Sequence, residues 1–246
     1  MNESLLAFPK IRTPLPEGYQ AIYEKEYLIN RTSGSFANQV AANLEAWMHR
    51  KVRGEKRQEG EVLLEIGAGT LNHVPWEKGV KTYDVIEPNQ FLLDETLKET
   101  LPGRIFSSIA EVPIEALYDR ILSVAVLEHL LDLPEQIAQS GLRLKKEGAF
   151  CAGIPSEGGF LWEMAWRHGT GPGFHRRTGL DYETLMRHEH VNTAAEIIEV
   201  VRYFFETVSI SRFPLPWLPL SLYSFIKAQH PRLNLCEDYL AQRALS

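Results

Sequence analysis

After Gly60 the chain runs in short aliphatic and β-branched blocks that alternate with stretches of helical spacing. The blocks are Val62–Ile66, Thr82–Ile86, Arg104–Ser107, Arg120–Val124 and Ala149–Gly153, and the spacing between them predicts helices near Trp76 and over Phe91–Glu99 and Leu127–Ser140. Near-continuous apolar strands separated by helices mark a parallel sheet covered on both faces. Farther along, Thr193 and Glu196 form a T-x-x-E capping box that opens a helix through Ile197, Val201 and Phe204. Two further strands, near Thr207–Phe213 and Leu222–Ala228, complete a predicted seven-stranded sheet. The expected fold is α/β: a doubly wound, mostly parallel sheet with a helical N-terminal cap and a lid insertion.

The flanks read differently. In residues 1–34, Pro9, Pro14 and Pro16 followed by Tyr19, Tyr23 and Tyr27 predict an extended lead-in and a short helix. From Ser35 the stripe Phe36, Val40, Leu44, Trp47 predicts a helix that ends near Arg50, Lys51, Arg53, Lys56 and Arg57. Cations at a helix end complement its dipole and Gly54 supplies a stop, so a solvated helix end explains the cluster, with an anion site as the other reading. The segment Phe213–Ile226 is apolar but shorter than the roughly 20 residues of a membrane span, and Pro214, Pro216 and Pro219 break it. It reads as a buried loop entering a strand, or else as an exposed patch for a dimer partner or a membrane surface. There is no repeat and no low-complexity tract. The organisation is one domain: a cap over 1–58, a core over 59–155, an insertion with its helix over 156–204, and closing strands over 205–246.

Composition narrows the partners. The chain has 246 residues, enough to bury a core without disulfides or metals. With 26 Lys and Arg against 32 Asp and Glu, the net charge of −6 gives no general attraction for phosphate backbones. A small molecule, not a nucleic acid, is the expected partner; no stable membrane insertion is expected, and a homodimer stays open. Cys151 and Cys236 are the only cysteines, there is no CxxC, and MNESLLAFPK lacks a secretory h-region, which together suggest a reducing, cytoplasmic setting.

The first strand ends in an acid and a G-x-G turn, Glu65-Ile66-Gly67-Ala68-Gly69-Thr70. Such a turn lets backbone approach a ligand where a Cβ would intrude. The second strand ends in Glu87-Pro88, which places a carboxylate where both oxygens can accept from ribose hydroxyls. Two ligands compete. A dinucleotide wants a third glycine for close helix packing and a pyrophosphate at the helix start, but that position is Asn72. S-adenosylmethionine has no phosphate and carries a positive sulfonium, so Glu65 would attract it and repel a pyrophosphate.

With Asp119, Ser123, Leu127, Glu128, His129 and Leu130 in a D-x-x-x-S-x-x-x-L-E-H-L stretch, and the turn Leu142–Ala149 before the fifth strand, residues 60–155 resemble the class I S-adenosylmethionine-dependent methyltransferases. A weaker echo covers His190–Phe205. The resemblance implies cofactor contacts at Glu65, Gly67, Ala68, Gly69, Glu87, Pro88, Val124 and Ala125, with Ser108 and Ile109 at the adenine. Ser108 departs from the acid usual there, and Glu111 in a shifted register is the other candidate. The resemblance implies methyl transfer to a small-molecule acceptor, with an anionic or sugar-linked metabolite as one candidate, yielding S-adenosylhomocysteine. A cofactor-binding scaffold that transfers nothing and a nicotinamide-dependent oxidoreductase are the alternatives.

Acceptor contacts are expected at the carboxyl ends of the strands. Candidates are Tyr23 and Arg31 in the cap, with Tyr19, Tyr27 and Asn30 nearby, Asn72 and His73 after the G-x-G turn, and Trp162 and Arg176 in the insertion. Asn72 and His73 also suit helix capping or packing. Four of the eight histidines lie between His168 and His190. As a general base, the order of candidates is His190, His175, His129; surface or packing roles are the alternative for each. No metal is expected, because no thiolate stands near and His188-Glu189-His190 lacks the i, i+4 spacing of a helical zinc motif.

Overall fold

The computed structural model describes residues 3–19, 22, 46–54, 59–93, 98–99, 101 and 103–245. Tyr23, Tyr27, Asn30, Arg31, the stripe Phe36, Val40 and Leu44, and Lys56 and Arg57 lie outside the described residues.

Seven strands form one sheet in the order β3-β2-β1-β4-β5-β7-β6. They are β1 Val62–Ile66, β2 Thr82–Ile86, β3 Ile105–Phe106, β4 Tyr118–Val124, β5 Leu144–Pro155, β6 Phe205–Pro214 and β7 Ser221–Pro231. β1 to β5 pair in parallel, and β7 enters antiparallel to both β5 and β6. The helices are α1 over residues 46–53, α2 Leu133–Leu142, α3 Phe160–Ala165, α4 Gly171–Thr178, α5 Tyr182–Glu189, α6 Ala194–Phe204 and α7 Leu233–Arg243.

Alternation along the central strands divides the core into two layers. Leu64, Ile66 and Ile121 join one apolar cluster, with Ile137 of α2 and Ile197 and Val201 of α6; Leu63, Tyr83, Val85 and Leu122 join another, with Val52 of α1. Both faces of the sheet are therefore covered, which is why β1 and β2 are mostly apolar, each carrying one buried acid, Glu65 and Asp84. The capping box at α6 forms as the sequence predicts, Thr193 and Glu196 each satisfying the other's backbone.

Three expectations need correction. The helix expected near Trp76 is a single 3₁₀ turn, Val74–Trp76. The helix expected over Leu127–Ser140 is a 3₁₀ turn, Leu127–His129, followed by α2, because Asp132 caps the backbone of Glu135 and Pro134 sits in the first turn. The loop read as buried inside Phe213–Ile226 is exposed, with Trp217 63% accessible. Leu215, Trp217 and Leu220 of the connection are exposed, while Leu218 packs against the core. No helix among the described residues is long and apolar enough to cross a membrane.

The strand order reverses direction at β1, between β2 and β4, and a crevice opens at the carboxyl ends of these strands. An extended strap ahead of the core crosses its acceptor side. Lys10 Nζ donates to Val191 O and Glu196 Oε1, and Arg12 donates to the carbonyls of His129 and His188.

Candidate active site

The crevice holds a cavity of about 530 Å³, within the range of small-molecule sites. Strand tips form its floor, with Glu65 and Gly67 after β1, Glu87 and Pro88 after β2, and Val124 and Ala125 after β4.

Backbone geometry explains the G-x-G turn. Gly67 N–H and Ala68 N–H both donate to Ile86 O, at 2.8 and 3.2 Å, folding the turn back onto β2. Gly67 has φ +69°, and a Cβ there would lie 2.5 Å from Val126 Cγ2. Gly67→Ala is therefore expected to cost about 1–2 kcal/mol from the left-handed backbone alone, and more from Val126, read as a lower Tm together with weaker ligand binding. Ala125 also holds a left-handed φ, +53°, at the end of β4, a strain typical of functional turns.

The two carboxylates differ in their surroundings. Glu87 is tied by its oxygens: Gly69 N–H donates to Oε2 at 2.7 Å and Asn89 N–H to Oε1 at 2.9 Å. Each oxygen keeps a further lone pair for a ligand hydroxyl. Glu65 is almost fully buried and takes a 2.8 Å hydrogen bond from the Tyr83 hydroxyl. Burial pushes its carboxyl up to about 8, the Tyr83 hydrogen bond opposing and the charges of Glu77 and Glu87 adding to the rise.

Behind the floor, His73 Nε2 lies 3.1 Å from Glu77 Oε1 and its Nδ1 lies 2.8 Å from His49 Nδ1. A carboxylate only accepts, so His73 carries its proton at Nε2 and accepts from His49. Burial, acting against the neighbouring Glu77, holds the His73 imidazole below its usual range and so neutral. Both nitrogens of His73 are spent within the protein, so its ring is wall; exposed Asn72 lines the same cavity.

The wall around His129 and His190 is built from three distant segments. His129 follows β4 on the turn Leu127–His129, His190 ends α5, and Glu157 follows β5. His190 Nδ1 is 2.7 Å from Glu157 Oε2, which also accepts from Trp162 Nε1 at 2.6 Å. Trp162 stacks on His190, and the His129 and His190 rings meet edge to face at 4.9 Å. Buried Asn192 clamps the assembly, its side-chain amide donating to Leu127 O and Leu130 O.

The fold brings together Glu65, Gly67, Ala68, Gly69, Glu87, Pro88, Val124, Ala125, Asn72, His73, His129 and His190 around one cavity. Other expected residues stand elsewhere. His175 and Arg176 lie on the exposed face of α4, each donating to a carbonyl of its own segment, Leu180 O and Pro172 O. Ser108 is exposed at the head of the 3₁₀ turn Ile109–Glu111 and Ile109 is buried beneath it, while Glu111 accepts from Ser107 N–H. Arg12 and Met186 line the cavity without having been singled out in the sequence, and Tyr182 of the aromatic-rich insertion lines it too. The prolines predicted the strap as an extended lead-in, but neither its contacts nor those of Glu157 with His190 carried a sequence signal, since those partners lie tens to hundreds of residues away.

No protein-family model matches the chain, and no curated protein matches it either. Solved structures do. A Thermotoga maritima protein described as an S-adenosylmethionine-dependent methyltransferase, possibly a histamine N-methyltransferase, aligns with TM-score 0.56 and 15% identity over 85% of this chain and 94% of its own. Magnesium protoporphyrin IX methyltransferase from Synechocystis, solved with bound S-adenosylhomocysteine, aligns with TM-score 0.54 and 13% identity over 86% and 96%. The chain has the class I methyltransferase fold. A phosphoethanolamine N-methyltransferase from Haemonchus contortus shares this fold at TM-score 0.54 and 13% identity, over 77% of this chain and 53% of that one. In the class I methyltransferase fold of this chain, the cavity sits at the switch in strand order, where such sheets hold their ligands.

Proposed function

We propose that this protein transfers a methyl group from S-adenosylmethionine to a small-molecule acceptor. The observation that carries this reading is the pair Glu65 and Glu87, two buried carboxylates on neighbouring strand tips that flank a glycine cradle in one cavity. The donor set suits a cationic nucleoside: lone pairs on Glu87 for ribose hydroxyls, and Glu65 beside the glycines for a positively charged amino-acid end. A side chain at Gly67 would collide with Val126, which also lines the cavity, and so would deform the cradle. When bound, the cofactor supplies an electrophilic methyl group on sulfur.

The chain's own residues do the rest. Glu65, Gly67, Gly69, Glu87, Val124 and Ala125 hold the cofactor side, and Asn72, His129, Tyr182, Met186 and His190 face the acceptor. Fixing two reactants at attack distance supplies roughly 7–11 kcal/mol, so alignment carries most of the acceleration. His190, oriented by Glu157 through Nδ1, keeps Nε2 available to take a proton from a hydroxyl acceptor. Trp162 acts on the acceptor through His190, on which it stacks.

Calorimetry with S-adenosylmethionine, S-adenosylhomocysteine and NAD, followed by turnover with a panel of phenols, carboxylates and amines, tests the reading. Glu87→Ala is expected to weaken cofactor binding by roughly 1.5–3 kcal/mol, the value of hydrogen bonds to a charged group. Unchanged affinity would remove the ribose from Glu87. Binding without turnover of any acceptor would favour a scaffold, and binding of NAD alone an oxidoreductase.

A further inference from the structure

We infer that Glu128, His129 and His190 form a binding site for one divalent transition-metal ion of the zinc type, set in the wall of the cavity at its acceptor end. One ligand atom from each of these residues lies within 4.8 Å of the others. Ligands about 2.1 Å from a tetrahedral ion stand about 3.4 Å apart, so side-chain rotation of roughly an ångström closes the set.

The histidines are oriented as metal ligands are. A ligating imidazole usually donates its other N–H to a carboxylate or a backbone carbonyl, which fixes the tautomer and points a lone pair at the ion. His190 Nδ1 faces Glu157 Oε2 at 2.7 Å, and His129 Nδ1 faces Glu189 O at 2.9 Å. Both acceptors require the proton at Nδ1, so both Nε2 atoms carry lone pairs. His129 Nε2 is 3.8 Å from Glu128 Oε1.

Glu128 supplies the independent observation. Its side chain is 2% accessible, and its Oε2 has no hydrogen-bond partner within the protein. A buried carboxylate oxygen without a donor costs on the order of 1–3 kcal/mol or more, and a cation beside it removes that cost. The backbone makes the placement firm, because Val191 N–H and Asn192 N–H both donate to Glu128 O and dock the end of α5 against this turn. Two imidazoles and one carboxylate leave a fourth position for a small ligand, as in catalytic zinc sites. Its use, though not its existence, rests on the methyl-transfer reading. With the ion bound, the His190 Nε2 lone pair is on the metal and no longer takes a proton, and an acceptor oxygen would instead coordinate at the fourth position. The sequence predicts no metal because it offers no local spacing; the ligands come from two segments 61 positions apart, Glu128-His129 and His190.

The full-length protein, stripped with chelator, is titrated with Co²⁺ and followed by its visible d–d absorption, then with Zn²⁺ in competition. One equivalent is expected to saturate the bands. His190→Asn and Glu128→Gln should each weaken binding by roughly 100-fold or more, and Glu157→Gln by about 10–100-fold. If buried Glu128→Gln does not fold, half-exposed His190→Asn decides. Absence of the bands, or bands that survive in His190→Asn, overturns the site. S-adenosylmethionine binding to the metal-free protein reports on the methyl-transfer reading separately.

Discussion

Arg120→Met is expected to lower stability at pH 7 by roughly 3–5 kcal/mol, the cost of stranding a buried partner, and so to lower Tm by about 10 °C. The guanidinium is 7% accessible and meets Glu77 with both arms, Nη1 to Oε1 at 2.6 Å and Nη2 to Oε2 at 2.9 Å. It also donates to Glu61 Oε2 and Val52 O, which ties β4 to α1. Burial alone would raise the Glu77 carboxyl, but hydrogen bonds from His73 and Arg120, with the charge of Arg120, hold it below the usual carboxylate range. A lowered folded pKa contributes stability above the unfolded value of Glu77 and loses it as pH falls. The deficit of Arg120→Met should therefore be largest at neutral pH and shrink towards acid, where Glu77 protonates. Urea melts at pH 7 and pH 5 read this, and Arg120→Met combined with Glu77→Gln should regain most of the loss. Equal deficits at both pH values would show that the stranded charge is not what destabilises the variant. Because Glu77 orients His73, the single variant should also loosen the cavity wall.

β1 and β2 were legible to the residue, because burial on both faces leaves short, mainly aliphatic and β-branched runs bounded by turns, even with Glu65 and Asp84 inside them. β5 was read only as Ala149–Gly153, yet it begins at Leu144 and passes through Lys145, Lys146 and Glu147. There the ladder resumes beside Tyr118 after an irregularity in register, and hydrogen bonding, not hydropathy, sets its limits. The floor of the site was legible for a related reason: acid, glycine and acid stand at strand tips, and local order fixes where strand tips meet. The acceptor end was not. Arg12, Glu157 and His190 converge only through the strap, the end of β5 and the end of α5. Histidine density drew attention to His175, which α4 turns to solvent, while Glu128 entered only through the L-E-H-L stretch at the start of an expected helix.

Glu65→Gln should split stability from binding. With its carboxyl pushed up to about 8 by burial, Glu65 is mostly neutral in the folded protein at pH 7 and charged in the unfolded chain. A raised folded pKa means its contribution is fully present below about 4.5, the unfolded value, and is lost as pH rises through about 8. Wild-type stability should fall across that window by an amount on the order of 3 kcal/mol, and Glu65→Gln, which has no proton to lose, should lack this fall and be the more stable protein at pH 8.5. Ligand binding should move the other way. A cation placed beside Glu65 favours the carboxylate, so S-adenosylmethionine should bind with release of about one proton at pH 7 and more tightly as pH approaches 8. Calorimetry in buffers of different ionisation enthalpy counts that proton. In Glu65→Gln the release should vanish and affinity should drop most at high pH, where the wild-type charge costs nothing further to form. A variant that is stabilised but still releases the proton would place the ionisation on a group other than Glu65.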